Sequence, residues 1–206
     1  MTGGRLKALS LILVAVLAAL VLLAWSQPWF ELTLASGGDS AALLVGGDVA
    51  AAALPPLAFA SFALVLALAI AGPVFRVILG ILEALLGVTV VVTSVSALTD
   101  PIAAAAPALT EHTGVTGIDS LHALVREATV TGWPTLAIIG GVLMVALGVA
   151  IAATGRHWPT SGRKYSRSEA QAVRSTSPVD EWDALSEGDD PTQPEAPQRG
   201  PSSPLD

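Results

Sequence analysis

Glu83 is the residue of this 206-residue chain whose type and setting most suggest chemistry, because it is the one ionisable group inside a long apolar run. A carboxyl group within a membrane costs free energy and indicates a functional site by default. We place it about six residues into its run, at a depth of about 9 Å. Arg76 precedes it by two turns on the same helical face. Two interpretations stay open: structural pairing of Glu83 with Arg76, directly or through water, or coupling of a proton or solute to Glu83.

Other residues with catalytic or metal-binding chemistry are sparse. His112 and His122 lie near Glu111 and Asp119, but their spacing matches no tight ligand pattern. The chain has no cysteine, no Gly-x-Ser-x-Gly motif and no glycine-rich phosphate loop after a strand. We therefore predict no catalytic residue, no metal site and no cofactor, and a protein that is not an enzyme.

The elements that position these residues are predicted by hydropathy. The sequence is 52% hydrophobic and 13% charged, against about 25% charged residues in soluble proteins. Four apolar runs, at about residues 6–25, 54–72, 77–98 and 134–153, are each about long enough to cross the hydrocarbon core of a bilayer as a helix. The predicted fold is an all-α membrane protein, in which residues 1–153 form a bundle of four transmembrane helices with short outer loops.

Basic residues predict the orientation of the bundle, because Lys and Arg near helix ends stay in the cytoplasm. Arg126 is the one basic residue that falls in the loops 26–53 and 99–133. We therefore predict a multi-pass protein of the cell (inner) membrane with both termini in the cytoplasm. The net charge of −7 averages a basic stretch and a separate acidic one, so it does not indicate nucleic-acid binding.

The first apolar run has a second interpretation as a signal peptide. Arg5 and Lys7 form a positive amino-terminal region, and the tripeptide 24–26, Ala-Trp-Ser, fits a small-x-small cleavage site. The run is longer than the roughly 7–15 residues of a signal h-region. We therefore predict that this helix is retained.

Tryptophans mark the ends of the apolar runs. Trp25 and Trp29 follow the first run, Trp133 precedes the fourth, and Trp158 follows the fourth on the other side. Indole rings prefer the headgroup level of a bilayer. We predict that these four residues are membrane-interface anchors.

Small residues form stripes on the third and fourth runs, where they allow helices to approach closely. The stripes contain Gly80, Ala84, Gly87 and Ser94, and then Gly141, Gly148 and Gly155. They predict either packing within the bundle or the interface of a homo-oligomer.

The loops predicted to lie outside have weaker patterns of their own. Phe30, Leu32 and Leu34 alternate with polar residues, which is typical of a strand, and residues 41–45 can pair back as a hairpin. Ile118, Leu121, Leu124 and Val125 share one face of a predicted short amphipathic helix.

Residues 154–206 are predicted to form a disordered cytoplasmic tail, because they lose apolar periodicity and are rich in proline. The tail is basic over 156–174, where it can contact anionic lipid, and acidic over 180–195. Trp182 and Leu185 would share a face if the acidic part formed a helical turn. We predict that this pair docks on a cytosolic protein partner.

Two stretches of the tail and two near the amino terminus support a family resemblance. The tail contains GRKYSR at 162–167 and then WDALSEGDDPT at 182–192, which resembles the carboxy-terminal signature of the tryptophan-associated transmembrane proteins. Near the amino terminus, WSQPWFELTL and the Pro-led second run are similar to the first half of that family's sequences. The family consists of small actinobacterial four-helix membrane proteins encoded beside tryptophan biosynthesis genes. The resemblance implies a link to tryptophan biosynthesis and supplies no catalytic residue. We expect an accessory protein of the membrane; the alternative is an oligomeric transporter of a small aromatic solute, or a transport accessory, that uses Glu83.

Overall fold

The computed structural model describes residues 3–35 and 42–155. Their helices are α1 (Gly3–Trp25), α2 (Gly47–Ala50), α3 (Leu54–Ile70), α4 (Pro73–Thr99), α5 (Pro101–Thr113), α6 (Ile118–Leu124) and α7 (Trp133–Thr154). Their strands are β1 (Pro28–Leu34), β2 (Ala42–Gly46) and β3 (Val125–Val130). The described part of the chain is therefore mostly helical, as predicted.

Three helices, α1, α4 and α7, are long and apolar enough to cross a membrane. The helix α3 is also apolar but has 17 residues, which makes it the short member of the set. It ends at Ile70, before the predicted position 72, because Gly72 is extended (φ −72°, ψ 172°) and Pro73 disfavours helical backbone in the residue before it.

These four helices pack side by side, and each contacts mainly two neighbours: α1 lies against α3 and α7, and α4 lies against α3 and α7. Contacts across the Gly72 turn bring Ser61 next to Glu83, so α3 and α4 run antiparallel. Contacts of Gly87 with Gly141 and of Arg76 with Gly155 show that α4 and α7 are antiparallel as well. We call the end with the α3–α4 turn the hairpin end.

The helix α4 starts earlier than its predicted boundary at residue 77. Pro73 occupies the first turn, where its missing N–H is not needed. Arg76 therefore lies in the first turn of α4 and not in a link between helices, and it is buried there. The early start also places Glu83 about 15 Å along the helix axis from the beginning of α4.

A small cap covers the other end of the bundle, which we call the sheet end. Its three strands form an antiparallel sheet in the order β2-β1-β3. The predicted strand and hairpin are confirmed, because β1 pairs with β2 and Leu32 lies opposite Leu43. Phe30, Leu32 and Leu34 are buried on one face of the sheet, while Glu31 is exposed.

The segment 101–130 differs from its prediction. Instead of a short loop with one amphipathic helix, it forms α5, α6 and β3. The predicted helix ends at Leu124, and Val125 begins β3, opposite Leu34. Valine and threonine favour strands, and β1 has a free edge that the segment completes, so pairing overrides the helical pattern. A fold with only short outer loops is therefore wrong for this end of the molecule.

Candidate functional site

One face of α4 carries all the buried residues of that helix. They recur with alternating spacings of four and three residues, which is the heptad pattern of a helix that packs along a seam. In chain order they are Arg76, Gly80, Glu83, Gly87, Val90, Ser94 and Ala97. Three of the seven are polar, so the seam combines close packing with polar groups that need partners.

Glu83 is completely buried, and its partner is Ser61 of α3. The Ser61 hydroxyl oxygen lies 2.9 Å from each carboxyl oxygen, a position from which one O–H donates to both. Ser61 is completely buried as well. The pair joins α3 to α4 by a polar contact inside an apolar bundle, where an unsatisfied carboxyl group would be costly.

Sequence reasoning missed Ser61. The second apolar run contains this one hydroxyl group between Leu54 and Ile70, and no pattern within the run distinguishes it. A signal was present: Ser61 and Glu83 are equally far from Gly72 along the chain, so an antiparallel hairpin places them at the same depth.

Arg76 lies at the hairpin end of the same seam and reaches the carboxyl end of α7. Its guanidinium Nη1 donates to the carbonyl oxygen of Gly155 at 3.3 Å. A cation at this position also interacts favourably with the negative end of the α7 dipole. Arg76 therefore connects α4 to the end of α7, whereas Glu83 connects α4 to α3.

Glycines bring the backbones of α4 and α7 close together. A Cβ atom on Gly148 would lie 2.5 Å from the backbone nitrogen of Ala84, and one on Gly87 would lie 2.7 Å from the carbonyl oxygen of Gly141. The predicted small-residue stripes are thus used within the bundle. The faces that suggested a homo-oligomer are covered by the chain's own helices, and the homo-oligomer itself stays a prediction.

The seam becomes apolar between Glu83 and the sheet end. Val90 and Met144 are completely buried there, and the next polar group is the hydroxyl of Ser94. That hydroxyl is buried and has no hydrogen-bond partner among residues 3–35 and 42–155. The polar groups of the seam are therefore not continuous from one end of α4 to the other.

The tryptophans at the sheet end have different environments. Trp29 is completely buried; its Nε1 donates to the Ala24 carbonyl at 2.8 Å, and its ring meets Phe30 edge-on at 6.4 Å. Its ring therefore packs within the protein and does not contact lipid. Trp25 and Trp133 are half-buried, and the Trp25 Nε1 is buried without a hydrogen-bond partner among the described residues, so the interface position of both stays a prediction.

The histidines of the cap are surface residues. His122 Nε2 lies 3.4 Å from Asp100 Oδ1, and both side chains are more than 40% exposed. His112 is in the last turn of α5 and is exposed. Within the described ranges, no group of three His, Asp or Glu side chains is placed to hold a metal ion.

Three predicted residues lie outside the described part of the chain. These are the predicted docking pair, Trp182 and Leu185, and the interface tryptophan Trp158. Their roles stay predictions.

Comparison with known proteins gives one match. The model of the family described as tryptophan-associated transmembrane protein matches residues 11–192. No curated protein and no solved structure matches the chain. The family match begins inside α1, includes every later helix and strand, and covers most of the chain. The chain therefore belongs to the tryptophan-associated transmembrane protein family.

Proposed function

We propose that this protein is a membrane accessory protein without enzymatic activity, whose tail recruits a cytosolic partner through Trp182 and Leu185. The observation that carries the proposal is the extent of the family match. It runs to Thr192, although the last described helix ends at Thr154. The likeness to the family thus includes the acidic run with its tryptophan and not the helices alone. The family name supports a partner from tryptophan metabolism.

The packing of the bundle supports an anchoring role for residues 1–153. The backbones of α4 and α7 approach closely at Gly87 and Gly148. Along the buried face of α4, no polar side chain lies between Glu83 and Ser94. The close contact of α4 with α7 and the apolar stretch between Glu83 and Ser94 support a role as an anchor for the tail over a polar route along this seam.

The proposal includes four membrane spans with both termini in the cytoplasm. At 17 residues, α3 is about 25 Å long, which is at the short end of the range for a spanning helix. Its antiparallel pairing with α4 returns the chain to the sheet end. Arg76 at the hairpin end and the basic residues after α7 support a cytoplasmic location for that end in the cell membrane.

Proximity labelling from the carboxyl terminus of the full chain, in the native cell, tests the recruitment. We expect a small set of cytosolic proteins to be labelled by the wild type and lost with Trp182→Ala. Trp158→Ala is the matched control, since it removes a tail tryptophan outside the acidic run, and it should keep the labelling. Equal labelling by the wild type and Trp182→Ala would refute the proposed docking pair.

A second function, transport of a small aromatic solute, is favoured by the completely buried carboxyl group of Glu83. In this version a homo-oligomer moves the solute with Glu83 as the coupling group, and the contact between Ser61 and Glu83 must open to expose the carboxyl group. Glu83→Gln keeps the shape of the side chain and removes its charge. Flux into vesicles should then disappear, and unchanged flux would eliminate this version.

A further inference from the structure

A groove at the sheet end lies between α2, the last turns of α4 and the start of α5. Its volume is about 500 Å³, and it is open on one side. Five of its eight lining residues are apolar, among them Ala50, Ala97 and Ala103. A cavity of this size holds a small molecule or the head group of a lipid.

The polar side of the groove is supplied by α4. Thr93, Ser96 and Asp100 are spaced by three and four residues, so they share one face of the end of the helix. Hydroxyl groups in helices commonly bond the carbonyl of the preceding turn, and Thr89 and Thr99 of the same helix do so at 3.0 and 2.9 Å.

The hydroxyl groups of Thr93 and Ser96 differ from those of Thr89 and Thr99 in their hydrogen bonding. Neither has a hydrogen bond to any group in the part of the chain that the structure describes. Both line the groove, so both are available to a ligand there.

Asp100 supplies the negative charge of the groove. Its Oδ1 accepts the backbone N–H of Ala103 at 2.9 Å and lies 3.4 Å from His122 Nε2. Within residues 3–35 and 42–155, no Lys or Arg lies within ion-pair distance of it. The groove therefore presents a carboxylate and two free hydroxyl groups above apolar walls.

We propose that this groove binds the ammonium head group of a phosphatidylethanolamine molecule from the leaflet at the sheet end. A primary ammonium has three N–H donors and no acceptor, which complements one carboxylate and two hydroxyl oxygens. The lipid is favoured over a free amine because Val92, which lines the groove, and Val95 are exposed on a helix that is long and apolar enough to cross a membrane, where acyl chains would cover them. The proposal is independent of the tail and of its partner.

Lipid retention by the purified full-length protein tests this site. The detergent-solubilised chain is titrated with phosphatidylethanolamine or with phosphatidylcholine of the same acyl chains, and native mass spectrometry counts the bound lipids. The quaternary ammonium of phosphatidylcholine carries charge but donates no N–H bond. We expect phosphatidylethanolamine to be retained at an about tenfold lower concentration, the effect of one charge-assisted hydrogen bond.

Asp100→Asn removes the charge but keeps an acceptor that caps α5, because Asn and Asp are equally good N-cap residues. It should abolish the preference between the two lipids. Ser96→Val, at an exposed position that tolerates an apolar side chain, should reduce the preference without changing the melting temperature. Asp119→Asn, in the first turn of α6 and outside the groove, is the matched control and should keep the full preference.

Three results would overturn the proposal. They are equal retention of the two lipids by the wild type, an unchanged preference in a folded Asp100→Asn variant, and an equal loss of preference in Asp119→Asn. Free ethanolamine is added as a competitor in a separate arm. If it displaces the lipid at the concentration at which the lipid itself binds, the groove is a site for a soluble amine and the lipid assignment fails.

Discussion

The Ser61 hydroxyl oxygen lies 2.9 Å from both carboxyl oxygens of Glu83, and neither side chain has any exposed surface. In a membrane, where no water reaches the hydrocarbon core, each of these polar groups can be satisfied only by the protein. Ser61 and Glu83 therefore satisfy each other's polar groups, and this allows both side chains to be buried in the bundle. Together they fix the depth at which α3 packs on α4, since a slip of one residue would separate them.

Ser61→Ala should lower the stability of the protein in detergent by about 1–3 kcal/mol, because it leaves the buried carboxyl group of Glu83 without its hydrogen bond. Thermal unfolding monitored by circular dichroism measures the change. Ser10→Ala is the control: the Ser10 hydroxyl bonds the Leu6 carbonyl of its own helix, so its loss should have little effect.

Glu83→Gln completes the test of this pair. The amide keeps an oxygen that accepts from Ser61, so the single substitution should destabilise less than Ser61→Ala. In the Glu83→Gln background, Ser61→Ala should cost less than it does in the wild type, and the difference is the coupling energy. Strict additivity of the two substitutions would show that the amide accepts the Ser61 hydrogen bond as well as the carboxyl group does, so that the charge of Glu83 adds nothing to the contact.

Gly148→Ala should destabilise the bundle by about 1–3 kcal/mol through overpacking. Its methyl group would lie 2.5 Å from the Ala84 backbone nitrogen, and backbone moves less easily than a side chain. Alanine is otherwise the better helix former by about 1 kcal/mol, so a loss of stability is evidence for contact between α4 and α7. The melting temperature in detergent is the measurement.

Gly132→Ala is the control for Gly148→Ala, because Gly132 also adjoins α7 but no atom lies within 4 Å of its added methyl group. It should leave the melting temperature almost unchanged. A Gly148→Ala variant as stable as the Gly132→Ala variant would contradict the observed close approach of the two helices.

Periodicity and hydropathy were sufficient to predict the four main helices, the strand at Phe30 and its hairpin. Hydropathy reports which segments are long and apolar, and in β1 the alternation also reports which side is buried. They do not report which element covers that side. The partner of Glu83, the capping of α7 by Arg76 and the pairing of Val125 with β1 depend on contacts between distant segments, so the sequence left them open or assigned them wrongly.

The cap shows the same limit of prediction from sequence patterns. A run such as Val125–Val130 is equally compatible with the end of an amphipathic helix and with a strand, and the free edge of β1 decides between them. The groove beside Asp100 exists only because α5 turns back over α4 towards α2. No local pattern in the sequence contains that information.

The helix α1 should be present in the mature protein. Val14 and Val21 are completely buried, and the Ala24 carbonyl accepts the indole N–H of Trp29 at 2.8 Å. Cleavage after Ser26 would expose the helices that α1 covers and remove that acceptor. The intact mass of the protein purified from native membranes should include residues 5–25. A mass that corresponds to a chain starting at Gln27 would show that the segment is a signal peptide.

Single-cysteine variants can determine the topology without background, because the chain contains no cysteine. Thr129 is exposed in β3 at the sheet end, Gly72 is at the hairpin end with open space around it, and Ser203 is in the tail. A maleimide that does not cross membranes should label Thr129→Cys in intact spheroplasts. It should label Gly72→Cys and Ser203→Cys only after lysis, since we propose that Arg76 and the basic residues after α7 hold that end in the cytoplasm.

The Gly72→Cys variant also determines whether α3 crosses the bilayer. Ala52, which is exposed just before α3, and Gly72, which follows it, flank the helix, so labelling of Ala52→Cys and Gly72→Cys from opposite sides requires that its 17 residues span the membrane. A short helix can achieve this by local thinning of the bilayer at a modest cost in free energy. Labelling of Ala52→Cys and Gly72→Cys from the same side would instead leave three spans, α1, α4 and α7, and put the tail on the side opposite to the amino terminus, which would remove the basis for a cytosolic partner.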